Sequence, residues 1–212
     1  EALGVNVNLT ADKVASLVNE IGIAFMFAPN FHPAMRYAAP VRKKLGIRTI
    51  FNVLGPLANP ALATRQVLGV YDMPLTQTMA EVLSKLGSEH VMVVHGEDGM
   101  DEISIASPTT VTELKNKTIT TYTIKPTDFG LDLADLKTIQ VENVDASKAM
   151  MIDVLKGSHG PHRNITILNA GAAIYVSGIT STLKEGIEKA ISVIDQGLAL
   201  KKLEALKVAS HG

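Results

Sequence analysis

Cysteine and tryptophan are absent from the 212 residues, and only four tyrosines and five phenylalanines occur. Without cysteine the chain has no disulfide scaffold, no thiolate chemistry and no cysteine-containing zinc site. So few rings leave little material for a stacked nucleic-acid platform. Charge of one sign is lacking as well: 20 basic residues face 21 acidic ones, for a net charge of -1. That balance provides no global field for a nucleic acid or an anionic bilayer. No uninterrupted apolar run reaches spanning length, and no charged-then-apolar leader opens the chain. These absences predict a cytoplasmic enzyme or binding protein with neither nucleic acid nor membrane as partner.

What is present suits a folded domain. The hydrophobic fraction is 46% and the charged fraction 19%, which separates the chain from disordered sequences. At this size folding buries roughly 70% of the extended chain's surface, enough for a substantial core. The opening Glu1-Ala2-Leu3-Gly4-Val5 reads as the last turn of a helix meeting its glycine stop, which predicts a preceding segment.

Thr10 is placed to cap a helix whose Val14, Leu17 and Val18 share a face. The apolar run Ile21 to Phe27 fits either a buried strand or a tight core segment. Asn30-Phe31-His32-Pro33 reads as a helix entrance, with the helix over Ala34 to Lys44 bent near Pro40. A short apolar stretch, Thr49 to Leu54, runs into the turn-rich Gly55-Pro56-Leu57-Ala58-Asn59-Pro60. Beyond it a strand over Arg65 to Val70, a helix over Leu75 to Leu86 and a strand over Glu89 to Val94 indicate an α/β sandwich. Residues 103–144 are threonine-rich, and Lys117 to Ile124 and Lys137 to Val141 suggest antiparallel strands or edge excursions. Helices return over Asp145 to Leu155, His162 to Val176 and Ser181 to Ile194, and one more finishes near Ala209, either separate from the last or continuous with it despite Gly197.

Three clusters carry candidate chemistry. Asp101-Glu102 follows a strand and a glycine-containing turn, and adjacent hard oxygen ligands there suit Mg²⁺ that keeps waters and bridges to phosphates. Neighbouring strand residues point to opposite faces, so both serve one site only on a bend or with two ions. The plainer alternative is a solvated acidic loop with Glu97 and Asp98. His32, Arg36 and Arg42 form the second cluster, in which an arginine could pair bidentately with a substrate carboxylate; a hydrated basic patch with Lys43, Lys44 and Arg48 competes. The third, Gly157-Ser158-His159-Gly160-Pro161-His162-Arg163-Asn164, could present N–H groups to phosphate or simply join two helices, the latter having the stronger claim. No HExxH, GxSxG, Walker or dinucleotide pattern occurs.

Longer motifs run through the chain. Phe31-His32-Pro33-Ala34-Met35-Arg36 and Val41 to Asn52 lead into Leu54-Gly55-Pro56-Leu57-Ala58-Asn59-Pro60; Arg65 to Val70, His95-Gly96, Gly99 to Ser104 and Leu168 to Tyr175 follow. In these the sequence resembles the anthranilate phosphoribosyltransferases over essentially its whole length. The resemblance implies a central mixed, largely parallel sheet flanked by helices, as in the large domain shared with nucleoside phosphorylases. It implies that residues 1–212 are the C-terminal portion of that large α/β domain, with the small helical domain and the first phosphate-binding loops lying outside them. The implied reaction joins anthranilate to 5-phosphoribosyl 1-pyrophosphate, giving N-(5-phosphoribosyl)anthranilate and pyrophosphate, with Mg²⁺ as cofactor and a homodimer formed through the helical domain. Carried onto this chain, Asp101 and Glu102 resemble the metal-site acids and Arg42 the partner of the anthranilate carboxylate. His32, Gly55 and Pro56 resemble parts of the aromatic-acid channel, and Met35 and Arg36 its variable portion. The family's glycine-rich GTGGDG loop, its Lys-His-Gly-Asn stretch and its serine-containing phosphate loop have no match among the 212 residues. That departure predicts little transferase activity for this polypeptide alone. A non-catalytic binding or regulatory remnant of the same fold, or a related nucleoside phosphorylase, are the alternatives.

Overall fold

The computed structural model describes residues 1–212 except 33–36, 38–39, 41–43, 45 and 47–50, together with the side chains of Phe51 and Asn52. The segments around the expected Ala34–Lys44 helix therefore lie mostly outside the described residues, as do Met35, Arg36 and Arg42.

Helix α1 (Ala11–Ile21) begins where Thr10 accepts from the Lys13 N–H and ends at Gly22 in the left-handed region. Val14 and Leu17 are buried while Val18 is half exposed, so the apolar face is narrower than the sequence suggests. The following Ile23, Phe25 and Phe27 form no regular strand and are substantially exposed. The run is no strand, but its half-buried Ile21, Ala24 and Met26 pack against the Leu9, Val14 and Leu17 cluster, as the core-segment reading expects; a short helix α2 (Ala28–Phe31) comes next. Helix α3 (Phe51–Leu57) occupies what reads in sequence as an apolar run entering a loop, and it contains Pro56 within its last turn.

Strand β1 (Arg65–Gly69), helix α4 (Pro74–Lys85) and strand β2 (His90–Gly96) make a β-α-β unit, and β1 and β2 pair in parallel. The chain then returns through β3 (Thr109–Lys115) and β4 (Thr118–Ile124), both in antiparallel ladders. Strand order is β1-β2-β3-β4. The sheet is mixed and, among the described residues, mostly antiparallel, not largely parallel as the family resemblance implied. Connection length explains this. Only β1 to β2 has a helical crossover long enough to restore direction; the Asn116-Lys117 turn between β3 and β4 can join only antiparallel strands. Both turn residues have positive φ, 51° and 63°, as a tight hairpin turn requires.

After two 3₁₀ turns, Pro126–Phe129 and Leu136–Ile139, come α5 (Val144–Leu155), α6 (Pro161–Ser177), α7 (Leu183–Asp195) and α8 (Leu198–His211). The strand expected over Lys137 to Val141 is therefore mainly one of these turns. Gly197 at φ 66° separates α7 from α8, which do not run on as one helix.

Strand β2 is the spine. Val91 and Val93 face Met79, Ala80 and Leu83 of α4, while Met92 and Val94 face Ile167, Leu168 and Ala172 of α6. Helices on both faces bury β2 from either side, so it reads as a continuous apolar run. Helices α6 and α7 cross at glycines: a Cβ on Gly186 would stand 2.3 Å from the Gly171 carbonyl oxygen. A third cluster joins Leu9, Val14 and Leu17 to Leu206 of α8.

Candidate active site

The β2–β3 connection is tied down by side chains, because it has no ladder of its own. The Gly96 N–H donates to Met100 O (2.8 Å), closing the turn. Asp98 accepts from the Met100 N–H (3.1 Å) and the Ser104 hydroxyl (2.5 Å). Ser104 Oγ in turn accepts from the Ala106 and Ser107 amides. Asp98 is therefore a staple within the loop, although Glu97, Asp98, Asp101 and Glu102 are all exposed to solvent. Its carboxylate comes so near Gly96 that a Cβ there would lie 2.6 Å from Oδ1.

These bonds place Asp101 and Glu102 just past the C-terminal end of β2. Gly69 ends β1 directly beneath, where a Cβ would fall 1.6 Å from the Asp101 carbonyl oxygen; only glycine permits that approach. The two residues lie on an irregular bend, which removes the opposite-face restriction of a regular strand. Both side chains are exposed. The surroundings of Glu102 still withdraw water, and with the Asp101 charge adding to that effect they push its carboxyl above the ordinary value. Asp101 and Glu102 wall a groove of about 350 Å³ with Met100, Met150, Val154, His162 and Ile165.

Among the described residues neither carboxylate has an ion-pair partner, and no set of three metal-ligating side chains occurs. Two adjacent hard oxygen donors without a countercharge fit Mg²⁺, which takes few protein ligands and completes its shell with water and substrate phosphate. The donor chemistry of this pair therefore suits that ion.

Other sequence candidates fall elsewhere. His32 is half-buried at the end of α2, its backbone N–H donating to Ala28 O at 2.9 Å. Gly55 is exposed within α3, and Pro56 is half-buried beside it. None of the three lines the acidic groove. Arg163 is no free phosphate ligand: its buried guanidinium donates to Asp195 of α7 at 2.5 Å. Residues 157–160 are thus an interhelix turn and Pro161 to Asn164 the first turn of α6, from which His162 reaches the groove.

Sequence reading missed a polar cluster at the opposite end of the sheet. Glu113 accepts from Tyr175 (2.8 Å), Tyr122 (2.8 Å) and His90 Nε2 (2.7 Å), and the Lys115 ammonium donates to Tyr175 Oη at 2.9 Å. Strand β3, which carries Glu113, has too many threonines to stand out by hydrophobicity. The register pairing His90 with Lys115 could have drawn attention to it only after β3 was recognised.

Comparison with known proteins agrees with this architecture. The glycosyl transferase family, a/b domain, matches residues 1–200. Anthranilate phosphoribosyltransferase from Methylobacillus flagellatus is 56% identical over 211 residues, covering 100% of this chain and 62% of that protein. The one from Nitrosomonas europaea is 50% identical over 206 residues, covering 97% and 60%. Among solved structures, anthranilate phosphoribosyltransferase from Thermus thermophilus superposes with a TM-score of 0.92 at 39% identity, over 100% of this chain and 63% of that one. The Saccharomyces cerevisiae protein in complex with PRPP and Mg gives 0.88 at 30% identity, over 99% and 61%. The chain thus spans about three fifths of the length of the relatives it matches. With sequence and architecture in agreement, the chain is a homologue of the anthranilate phosphoribosyltransferases and belongs to the glycosyl transferase family, as its α/β domain.

Proposed function

We propose that the protein containing this chain transfers a phosphoribosyl group from 5-phosphoribosyl 1-pyrophosphate to anthranilate, releasing pyrophosphate, in tryptophan biosynthesis. The observation that carries the reading is the Asp101-Glu102 pair, fixed on a braced loop at the C-terminal end of β2 with no countercharge among the described residues. Mg²⁺ bound there would neutralise charge on the pyrophosphate oxygens. The aromatic amine attacks ribose C1 as the bond to pyrophosphate oxygen breaks, and no covalent bond to the protein is needed. What the protein supplies is alignment and stabilisation of developing charge.

Arg42 is the proposed partner of the anthranilate carboxylate, with His32, Met35, Gly55 and Pro56 lining the approach of the ring. The complete protein is proposed to act as a cytoplasmic homodimer, a state that light scattering can check. Arg42→Ala in the complete protein is expected to lower kcat/KM for anthranilate by the equivalent of about 2–5 kcal/mol, the usual cost of truncating one partner of a buried charge pair. Asp101→Asn is expected to raise the Mg²⁺ concentration needed for half-maximal rate. Steady-state kinetics that leave both quantities at wild-type values would reject the assignment.

A further inference from the structure

Asn169 lies on the face of α6 that sends Leu168, Ala172 and Val176 into the core. An amide in such a place costs free energy unless its donors and acceptor are used. All are used, and chiefly on one residue of the acidic loop. Asn169 Oδ1 accepts from the Ile103 N–H at 2.9 Å, and Nδ2 donates to Ile103 O at 3.0 Å. Nδ2 also donates to Ile165 O at 3.0 Å, one turn back on α6, which fixes the orientation of the amide.

The Ile103 N–H belongs to the peptide that carries the Glu102 carbonyl. Holding it fixes the plane of the Glu102–Ile103 peptide, and the second bond fixes the plane of the next. The side chain therefore acts as a surrogate strand for a segment that has no β-ladder. On the other flank the Asp101 carbonyl is seated on Gly69. The acidic pair is held between a strand end and a helix.

We propose that Asn169 is a positioning residue for the Asp101-Glu102 pair, setting the geometry in which the two carboxylates receive a divalent cation. This rests on the metal role given to that pair above. Groups that orient metal ligands without touching the ion commonly alter metal affinity about 10- to 100-fold when removed.

The test is Mn²⁺ titration of the 212-residue chain, followed by the paramagnetic resonance of free Mn²⁺, with and without inorganic pyrophosphate. Amide hydrogen exchange at Ile103 is read in parallel. Asn169→Ala deletes the clamp, and Asn169→Leu deletes it while keeping core volume, so a folded variant is available if the alanine form collapses. Leu17→Ala serves as a control that loosens α1 in a core cluster separate from the one that holds Ile103. The expected result is an Mn²⁺ affinity about 10-fold weaker in the Asn169 variants, faster exchange at Ile103, and unchanged affinity in the control. Wild-type affinity in Asn169→Leu, where Asp101→Asn has lost it, would overturn the positioning role alone. If the wild-type chain takes up no Mn²⁺, or Asp101→Asn binds as well as wild type, the metal reading falls and this inference with it.

Discussion

Glu113 shows how one residue can organise the end of a sheet remote from the acidic loop. Burial raises its carboxyl, but hydrogen bonds from Tyr175, His90 and Tyr122, with the His90 charge, outweigh that and leave it below its ordinary value of 4.5. Burial first, then the bond to Glu113, push the Tyr122 phenol up, so it stays a donor. A carboxylate with a depressed folded-state pKa contributes stability above its unfolded value and loses it as pH falls through the folded one. Glu113→Gln should therefore cost about 1–3 kcal/mol near neutrality, because an NH₂ group replaces one of the two oxygens and leaves a buried donor without its acceptor. The gap between wild type and variant should shrink as pH drops below 4.5. Urea unfolding across that range checks it, and a gap that persists undiminished would count against the assignment. Gly69 makes a companion case: Gly69→Ala places a methyl group against the Asp101 carbonyl. We expect a loss of about 1–3 kcal/mol from overpacking, readable by denaturant midpoint.

At the scale of elements, the α6–α7 crossing depends on two glycines that no periodicity singles out. Gly186→Ala pushes a methyl group toward the Gly171 carbonyl, and separation of the helices should cost about 1–3 kcal/mol. A thermal midpoint equal to wild type would show that the crossing relaxes freely. Elements with strong local signals were legible in the sequence. Thr10 caps its helix as its residue type suggests, whereas the helix read from Ser181 starts after Thr182, which forms a capping box with Glu185. Among the strands, β1, β2 and β4 were legible and β3 was not. Strand β3 has only Val111 and Leu114 as apolar residues yet buries Thr109, Thr112 and Glu113 as well, so its polar composition conceals a central strand. Thr112 is accommodated because its hydroxyl meets Thr76 of α4 at 2.9 Å. The run Ile21 to Phe27 divides: Ile21, Ala24 and Met26 pack against the Leu17 cluster, while Ile23, Phe25 and Phe27 stay exposed. The Asp101-Glu102 pair was legible as a candidate because adjacent acids directly after a strand and a glycine turn form a local pattern. The brace that holds it was not, since Asn169 lies 66 residues from Ile103.

In the whole molecule, the sheet carries the acidic groove at one end and the Glu113 cluster at the other, with α4 and α6 packed on opposite faces between them. No described helix is long and apolar enough to cross a membrane. None of the three phosphate-binding motifs expected of the family occurs within the 212 residues. A purified polypeptide of these residues is accordingly expected to support little phosphoribosyl transfer. Turnover comparable to that of a full-length relative, measured on a sample of verified mass, would refute this. The bond from Asn169 to Ile103 also sets an order of events during synthesis. A nascent chain released as far as β4 already contains both acids and the strands that flank them, but the Ile103 peptide has no partner until α6 has been made and has docked. The acidic loop is then among the last parts of the sheet's rim to settle, and a ribosome stalled before α6 would present the carboxylates on an unbraced segment.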